Sequence, residues 1–306
     1  MPKVVTVTMN PAVDLVVEMD ALVPEAVNKA RRETRYCGGK GINVASVLAL
    51  LGERVSASGL LGRENAEPFR RHCADMGMGF EFVCVDGLTR TNVKLAVDGH
   101  GATDINLPGL KAESVDLQLL RDHLATLLGK GDCLILSGSL PPGVPADWYA
   151  ELIRDGRGKG AVTFLDASGE ALRLGLEALP DAAKPNRQEL LDIAGGDDVL
   201  TAARDWVRRG VGLMAVSLGS DGALLVESDR CLRAERAPVL AVNMVGAGDA
   251  FVAGMVYGRL HGWEAERALA FSTALSGHWV EKMDRRVLDV GRVETLRRAV
   301  PLSACE

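Results

Sequence analysis

The 306-residue sequence has no excess of positive charge: 35 Lys and Arg stand against 41 Asp and Glu, a formal net charge of −6. No basic footprint for a phosphate backbone is present, so no nucleic-acid partner is expected. No uninterrupted apolar run is long enough to span a bilayer, so no membrane partner is expected either. Met1-Pro2-Lys3 leads directly into a strand-like run, so no signal peptide is read. The six cysteines, at positions 37, 73, 84, 133, 231 and 305, form no CxxC and no metal-ligand spacing. They read as reduced, mostly buried thiols of a cytoplasmic protein. Neither a P-loop (GxxxxGK followed by Ser or Thr) nor a GxGxxG fingerprint occurs. Internal repeats, low-complexity segments and long linkers are also missing.

What is present is an alternation of short apolar strands and helical segments. Val4 to Thr8, Val55 to Ser58, Cys133 to Leu136, Ala161 to Leu165 and Leu213 to Ser217 read as strands. Ile42 to Leu51, Glu64 to Met76 and Val115 to Leu128 read as helices, and helices dominate from Ala250 onward. Such alternation predicts an α/β fold, a mostly parallel sheet with helices on both faces. With 47% apolar residues, the length suits one large domain or a large domain with a small appendage. Two stretches break the pattern. Ala12 to Arg35 alternates apolar and charged residues, and Thr91 to Asn106 looks like a hairpin around Asp98-Gly99-His100-Gly101. A small antiparallel β lid, approximately residues 12–36 and 90–107, accommodates both.

The most informative stretch is Val245-Gly246-Ala247-Gly248-Asp249, just ahead of an apolar helical run. Its small residues let several N–H groups converge on an anion at the positive end of the helix. Asp249 in the middle of such a hole suits deprotonation of a hydroxyl that attacks a phosphoryl group. Taken alone, the segment also reads as a tight turn with an Asp cap. Gly38-Gly39-Lys40-Gly41-Ile42-Asn43 allows close backbone approach, a charge and a hydroxyl partner, or is simply a Gly-rich helix start. Asp14 could accept from sugar hydroxyls, or be a solvated loop acid. Arg90 could clamp a phosphate, or lie idle on the surface. Ser139 follows the carboxyl end of an apolar strand, where open α/β sheets bind ligands. Lys184-Pro185-Asn186 with Glu189 could organise a hydrated Mg²⁺ from one helix face, or form a capping box. Ser217-Leu218-Gly219-Ser220-Asp221-Gly222 could border a nucleotide, or be a hairpin turn.

Together, the order and spacing of these motifs resemble the ribokinase-like (PfkB-type) carbohydrate kinases from end to end. Within that family, Thr6-Val7-Thr8-Met9-Asn10-Pro11-Ala12-Val13-Asp14, Thr89 to Lys94 and Thr103 to Gly109 are most similar to the 1-phosphofructokinase branch. The resemblance implies a ribokinase-like domain over residues 1–306 with a β lid, frequently shared in a homodimer. It implies MgATP as donor and fructose 1-phosphate as acceptor. Alternatives are a tagatose-6-phosphate kinase, a 6-phosphofructokinase, or an inactive sugar-phosphate sensor on the same fold. By resemblance, Asp249 is the catalytic base and Gly246, Ala247 and Gly248 form the anion hole. Asp14, Gly38, Gly39, Lys40, Asn43 and Ser139 fall at sugar-site positions, and Lys29 and Arg90 at positions that hold the substrate phosphate. Lys184, Asn186, Ser217, Gly219, Gly222, Gly246 and Gly248 match ATP-site positions, with Glu189 (through water) and Asn186 at the Mg²⁺. Three residues depart from the pattern. Met244 stands where Ser or Thr is usual, Asn243 where ribokinases carry Asp, and Cys37 where a smaller or different residue is usual.

Overall fold

Val4–Thr8 forms β1, buried along its whole length, with Val5 and Val7 facing one core and Val4 the other. A strand apolar on both faces belongs inside a sheet covered by helices. β1 pairs in parallel with β4 (Val55–Gly62) and β8 (Cys133–Ser137). β5 (Gly79–Val85) on one side, and β9 (Val162–Asp166), β10 (Ala182–Ala183) and β11 (Met214–Ser217) on the other, extend the parallel part. Beyond β11 the sheet turns antiparallel through β12 (Ala223–Val226), β13 (Cys231–Ala234) and β14 (Leu302–Ala304). The result is a ten-stranded sheet in the order β14-β13-β12-β11-β10-β9-β8-β1-β4-β5. The computed structural model describes residues 2–98, 103–242, 244–282 and 287–305.

One face of the sheet is covered by α1 (Lys40–Leu50), α2 (Glu67–Asp75), α8 (Ala247–Leu260), α9 (Ala265–Val280) and α10 (Val290–Ala299). The other carries α3 (Ser114–Leu127), α4 (Trp148–Gly158), α5 (Gly169–Glu177), α6 (Arg187–Ala194) and α7 (Val199–Arg209). α8 is apolar nearly all round, as a helix sandwiched between sheet and neighbours should be. A Cβ at Gly254 would lie 2.7 Å from the Ser272 Cα, so α8 and α9 meet backbone to backbone there. The expected single helix from Glu64 to Met76 is instead a 3-10 turn, Arg63–Asn65, followed by α2. Pro68 is the reason: it fits the first turn of a helix but not its interior.

The two irregular stretches build a second, four-stranded sheet from β2 (Ala12–Met19), β3 (Arg32–Gly38), β6 (Thr91–Val97) and β7 (Thr103–Asn106). The order is β3-β2-β6-β7, two antiparallel ribbons joined by a parallel β2–β6 pairing. The predicted β6–β7 hairpin forms; Gly99, His100 and Gly101 of its turn lie outside the described residues. Arg31 ties the far ends together, bonding Asp20 at 2.6 Å and Asp98 at 2.8 Å.

Candidate active site

The chemistry-bearing side chains gather where the parallel strands end and helices begin. Gly246 caps α8 in the left-handed conformation, φ 79°, which glycine adopts without steric cost. Ala247 and Gly248 follow, and Asp249 occupies the first turn, buried with 6% of its surface exposed. The Asn43 amide, one turn into α1, donates to Asp249 Oδ2 at 2.7 Å. Burial and the nearby Asp166 charge push the Asp249 carboxyl up to about 6, against the pull of Asn43, Lys40 and Lys184. A carboxylate held there is ionised at neutral pH and still basic enough to take a proton.

Asp166, the last residue of β9, is almost fully enclosed. Lys184 Nζ lies 3.1 Å and Lys40 Nζ 3.4 Å from its Oδ1, and Ser137 donates to Oδ2 at 3.0 Å. Burial would raise this carboxyl, but the two lysines and Ser137 hold it below the usual range. Burial likewise works to lower Lys40, while Asp166, Asp249 and Glu189 together raise it. A Cβ at Gly248 would sit 3.6 Å from Lys184 Nζ, so a cation and the N–H groups of the α8 turn border the same space. Two lysines, two carboxylates and a helix N-terminus form a charge-balanced cluster that favours an incoming polyanion.

The base of the small sheet forms the other end. Asp14 on β2 accepts from Asn92 Nδ2 at 3.1 Å and has Lys94 Nζ at 4.0 Å. A Cβ on Gly38 would fall 2.8 Å from Asp14 Oδ2 and displace that carboxylate, and a Cβ on Gly39 would fall 2.7 Å from Thr8 Cγ2. Arg90 reaches the carbonyls of Asn10 at 3.3 Å and Leu107 at 3.5 Å. Burial lowers its pKa and Asp14 partly restores it. The Asn10 amide donates to Ser139 Oγ at 3.2 Å. Arg90 Nε, Asn10 Oδ1 and Asn92 Oδ1 are buried without a partner, a set of polar atoms suited to a hydroxylated, anionic ligand.

Residues 7–287 match the pfkB family carbohydrate kinases. The chain belongs to this family. It is 42% identical to a 1-phosphofructokinase of Rhodobacter capsulatus, over 90% of this chain and 89% of that protein. It is 40% identical to a 1-phosphofructokinase of Xanthomonas campestris, over 98% of both. The solved phosphofructokinase-2 from Escherichia coli in complex with potassium superposes with a TM-score of 0.92 at 28% identity, covering 98% of this chain and 99% of that one. The ribokinase-like α/β architecture expected from the sequence is thus shown, and the chain is a phosphotransferase with an alcohol acceptor.

In this pfkB kinase, Asp14, Gly38, Gly39, Lys40, Asn43, Arg90, Ser139, Lys184 and the Gly246–Asp249 turn surround the cluster and the base of the small sheet. Asn186 and Glu189 form a capping box: each side chain accepts the other's backbone N–H at 2.8 Å. Ser217 ends β11 and bridges to Asn186. Gly219 has open space around it, whereas a Cβ on Gly222 would lie 1.9 Å from the Ala234 carbonyl, so packing of the β11–β12 hairpin demands that glycine. Lys29 is exposed in the segment between β2 and β3. β2 carries the chain roughly 20 Å outward before reaching it, so Lys29 lies at the outer end of its own small sheet. Met244 is mostly exposed, and Asn243 lies outside the described residues. Cys37 is half-buried on β3, its thiol pushed up to about 12 by burial and by Cys73. Among the described residues, no helix is long and apolar enough to cross a membrane. Asp166 lies outside every motif read from the sequence, and Asn10, Asn92 and Lys94 lie inside the quoted segments without having been given a role in the site.

Proposed function

We propose that the protein transfers the γ-phosphoryl group of ATP to fructose 1-phosphate, giving fructose 1,6-bisphosphate. The observation that carries this reading is Asp249, buried in the first turn of α8 with its carboxyl at about 6, beside Asn43, Lys40, Lys184 and Asp166. Relatives that bear the 1-phosphofructokinase name over nearly the whole chain support the choice of acceptor. Asp249 takes the proton of the attacking hydroxyl as it approaches phosphorus. The N–H groups of Gly246, Ala247 and Gly248 and the positive end of α8 receive the charge that spreads over the transferring phosphoryl. Lys184 and Lys40 add positive charge from the strand ends. Asp14, Gly38, Gly39, Asn43 and Ser139 hold the sugar. Ser217, Gly219 and Asn186 border the nucleotide.

Mg²⁺ would come with ATP. No group of three or more His, Cys, Asp or Glu that could hold a metal occurs among the described residues. Oxygen donors are nonetheless present in Asp166, Asn186 and Glu189, which suits an ion that keeps waters and rides on substrate phosphates. When bound, the ion neutralises charge on the β- and γ-phosphates.

Arg90 holds the substrate's own phosphate, joined by Lys29 where the outer end of a neighbouring lid can supply it. The small sheet acts as the lid that excludes water from the reaction. Exposed Tyr36 and Ile105 on that sheet, and Leu22, Val23 and Val27 in its β2–β3 connection, favour its pairing with a second copy. The test is Arg90→Ala. A planar guanidinium on a phosphate contributes on the order of 2–4 kcal/mol. The expected loss in kcat/KM for fructose 1-phosphate is therefore roughly two orders of magnitude, with the KM for ATP nearly unchanged and poor turnover of free fructose unaffected. Equal losses for fructose and fructose 1-phosphate would make Arg90 structural and remove the phosphosugar assignment.

A further inference from the structure

The far edge of the main sheet carries a pair of thiols that the kinase chemistry does not use. β13 and β14 run antiparallel with Leu232 opposite Ala304, Arg233 opposite Ser303 and Ala234 opposite Leu302. One step along this register sets Cys231 opposite Cys305, and the Cys305 N–H donates to the Cys231 carbonyl at 3.0 Å. Directly opposed residues project from the same face of a sheet, and in a hydrogen-bonded pair their Cα atoms stand about 5.5 Å apart. A disulfide spans Cα separations of about 4.4–6.8 Å. Cys231 is buried and Cys305 half-buried, and both line a cavity of about 390 Å³ that Arg204, Arg208 and Arg230 border together with Glu227 and Asp229.

We propose that Cys231 and Cys305 are a modification site, closing to a reversible disulfide by exchange with a small anionic disulfide of the oxidised-glutathione class. Arg204 draws the oxidant's carboxylates to the cavity, since Arg208 pairs with Asp205 and Arg230 with Glu227 and Asp229. Cys305 is the first nucleophile, because it is half-buried and within reach of the oxidant while Cys231 is buried. Its thiolate attacks one sulfur of the oxidant and expels one low-molecular-weight thiolate, which takes up a proton. Cys231, deprotonated in turn, attacks the Cys305 sulfur and expels the second thiolate. The protein loses two protons and two electrons, and the oxidant becomes two thiols. The bond encloses α8, α9 and α10 in one covalent loop and staples β14, an exposed edge strand held only by β13.

The experiment incubates the full chain with oxidised glutathione, quenches with an alkylating reagent and maps the peptides by mass spectrometry. A linked Cys231–Cys305 peptide is expected before any other cysteine pair. Closure of so long a loop should raise Tm by about 5 °C, and dithiothreitol should reverse the rise. Amide exchange at 302–305 should slow in the oxidised protein. Cys305→Ser and Cys231→Ser should each abolish the shift while leaving the reduced Tm within about 2 °C. A glutathione left on Cys305 without ring closure, an earlier linkage between other cysteines, or an unchanged Tm on linkage would overturn the proposal.

Discussion

Asp249 holds two opposed properties in one side chain. Its burial raises the carboxyl to about 6, which suits proton abstraction but leaves a costly charge inside the protein at neutral pH. The folded pKa exceeds the unfolded one, so the folded state binds more protons between about pH 4 and pH 6. Stability from this residue is therefore present at low pH and lost as the pH rises through 6. Asp249→Asn should cut turnover by about two or more orders of magnitude with little change in nucleotide affinity. The same variant should unfold at a higher temperature than the wild type near pH 8, the gain being on the order of 1–3 kcal/mol. In the wild type, kcat should fall as the pH drops below about 6. Near-normal turnover in the variant would remove Asp249 as the base, whatever its Tm. That this aspartate matters was legible from its place among small residues ahead of an apolar helix. Asp166 was not. A carboxylate at the end of Phe-Leu-Asp looks like any acid leaving a strand, and only the fold brings Lys40 and Lys184 to it.

Helix α6 carries a structural task at its start, and the proposed function gives the same atoms a chemical one. Asn186 and Glu189 satisfy two of the otherwise unpaired N–H groups at its start, which contributes about 1 kcal/mol. The capping box and the Mg²⁺ site both place an amide and a carboxylate three residues apart, so sequence spacing could not separate them. Glu189→Gln does. A glutamine carbonyl still accepts the Asn186 N–H, so stability should stay within about 0.5 kcal/mol of the wild type. The Mg²⁺ concentration for half-maximal rate should rise at least severalfold, because the anionic charge is gone. An unchanged Mg²⁺ titration would reduce the pair to a helix cap. The strands were the most readable elements: five apolar runs became β1, β4, β8, β9 and β11, each as a parallel member. The antiparallel end of the sheet was harder to read, because β12, β13 and β14 are only three to four residues long.

For the whole molecule, the small sheet is the part that bears on association. β7 is exposed throughout and β3 at four of its seven residues, and the apolar side chains of Leu22, Val23 and Val27 in the β2–β3 connection and Tyr36 on β3 are exposed. An uncovered sheet of this kind is a template for association. Sedimentation or light scattering at micromolar concentration should give twice the chain mass, and Val27→Asp with Tyr36→Asp should shift it toward the single chain. A strictly monomeric wild type, with and without substrate, would contradict the paired lid. Lys29 belongs to this scale as well. The resemblance assigns it to the substrate phosphate, and the eight residues of β2 carry it to the outer end of its own sheet.

The parallel β2–β6 seam has a consequence for how such a chain can be shortened or remodelled. One ribbon leaves the body after β1 and returns at α1; the other leaves after β5 and returns ahead of α3. The plate is therefore tethered by four separate passages of the chain, through Pro11, Gly39, Arg90 and Leu107. Deleting a single ribbon would strip the seam from the other and leave Asp14 without Asn92, or Asn92 without Asp14. The appendage is modular only as a pair: a viable truncation must take both ribbons or neither.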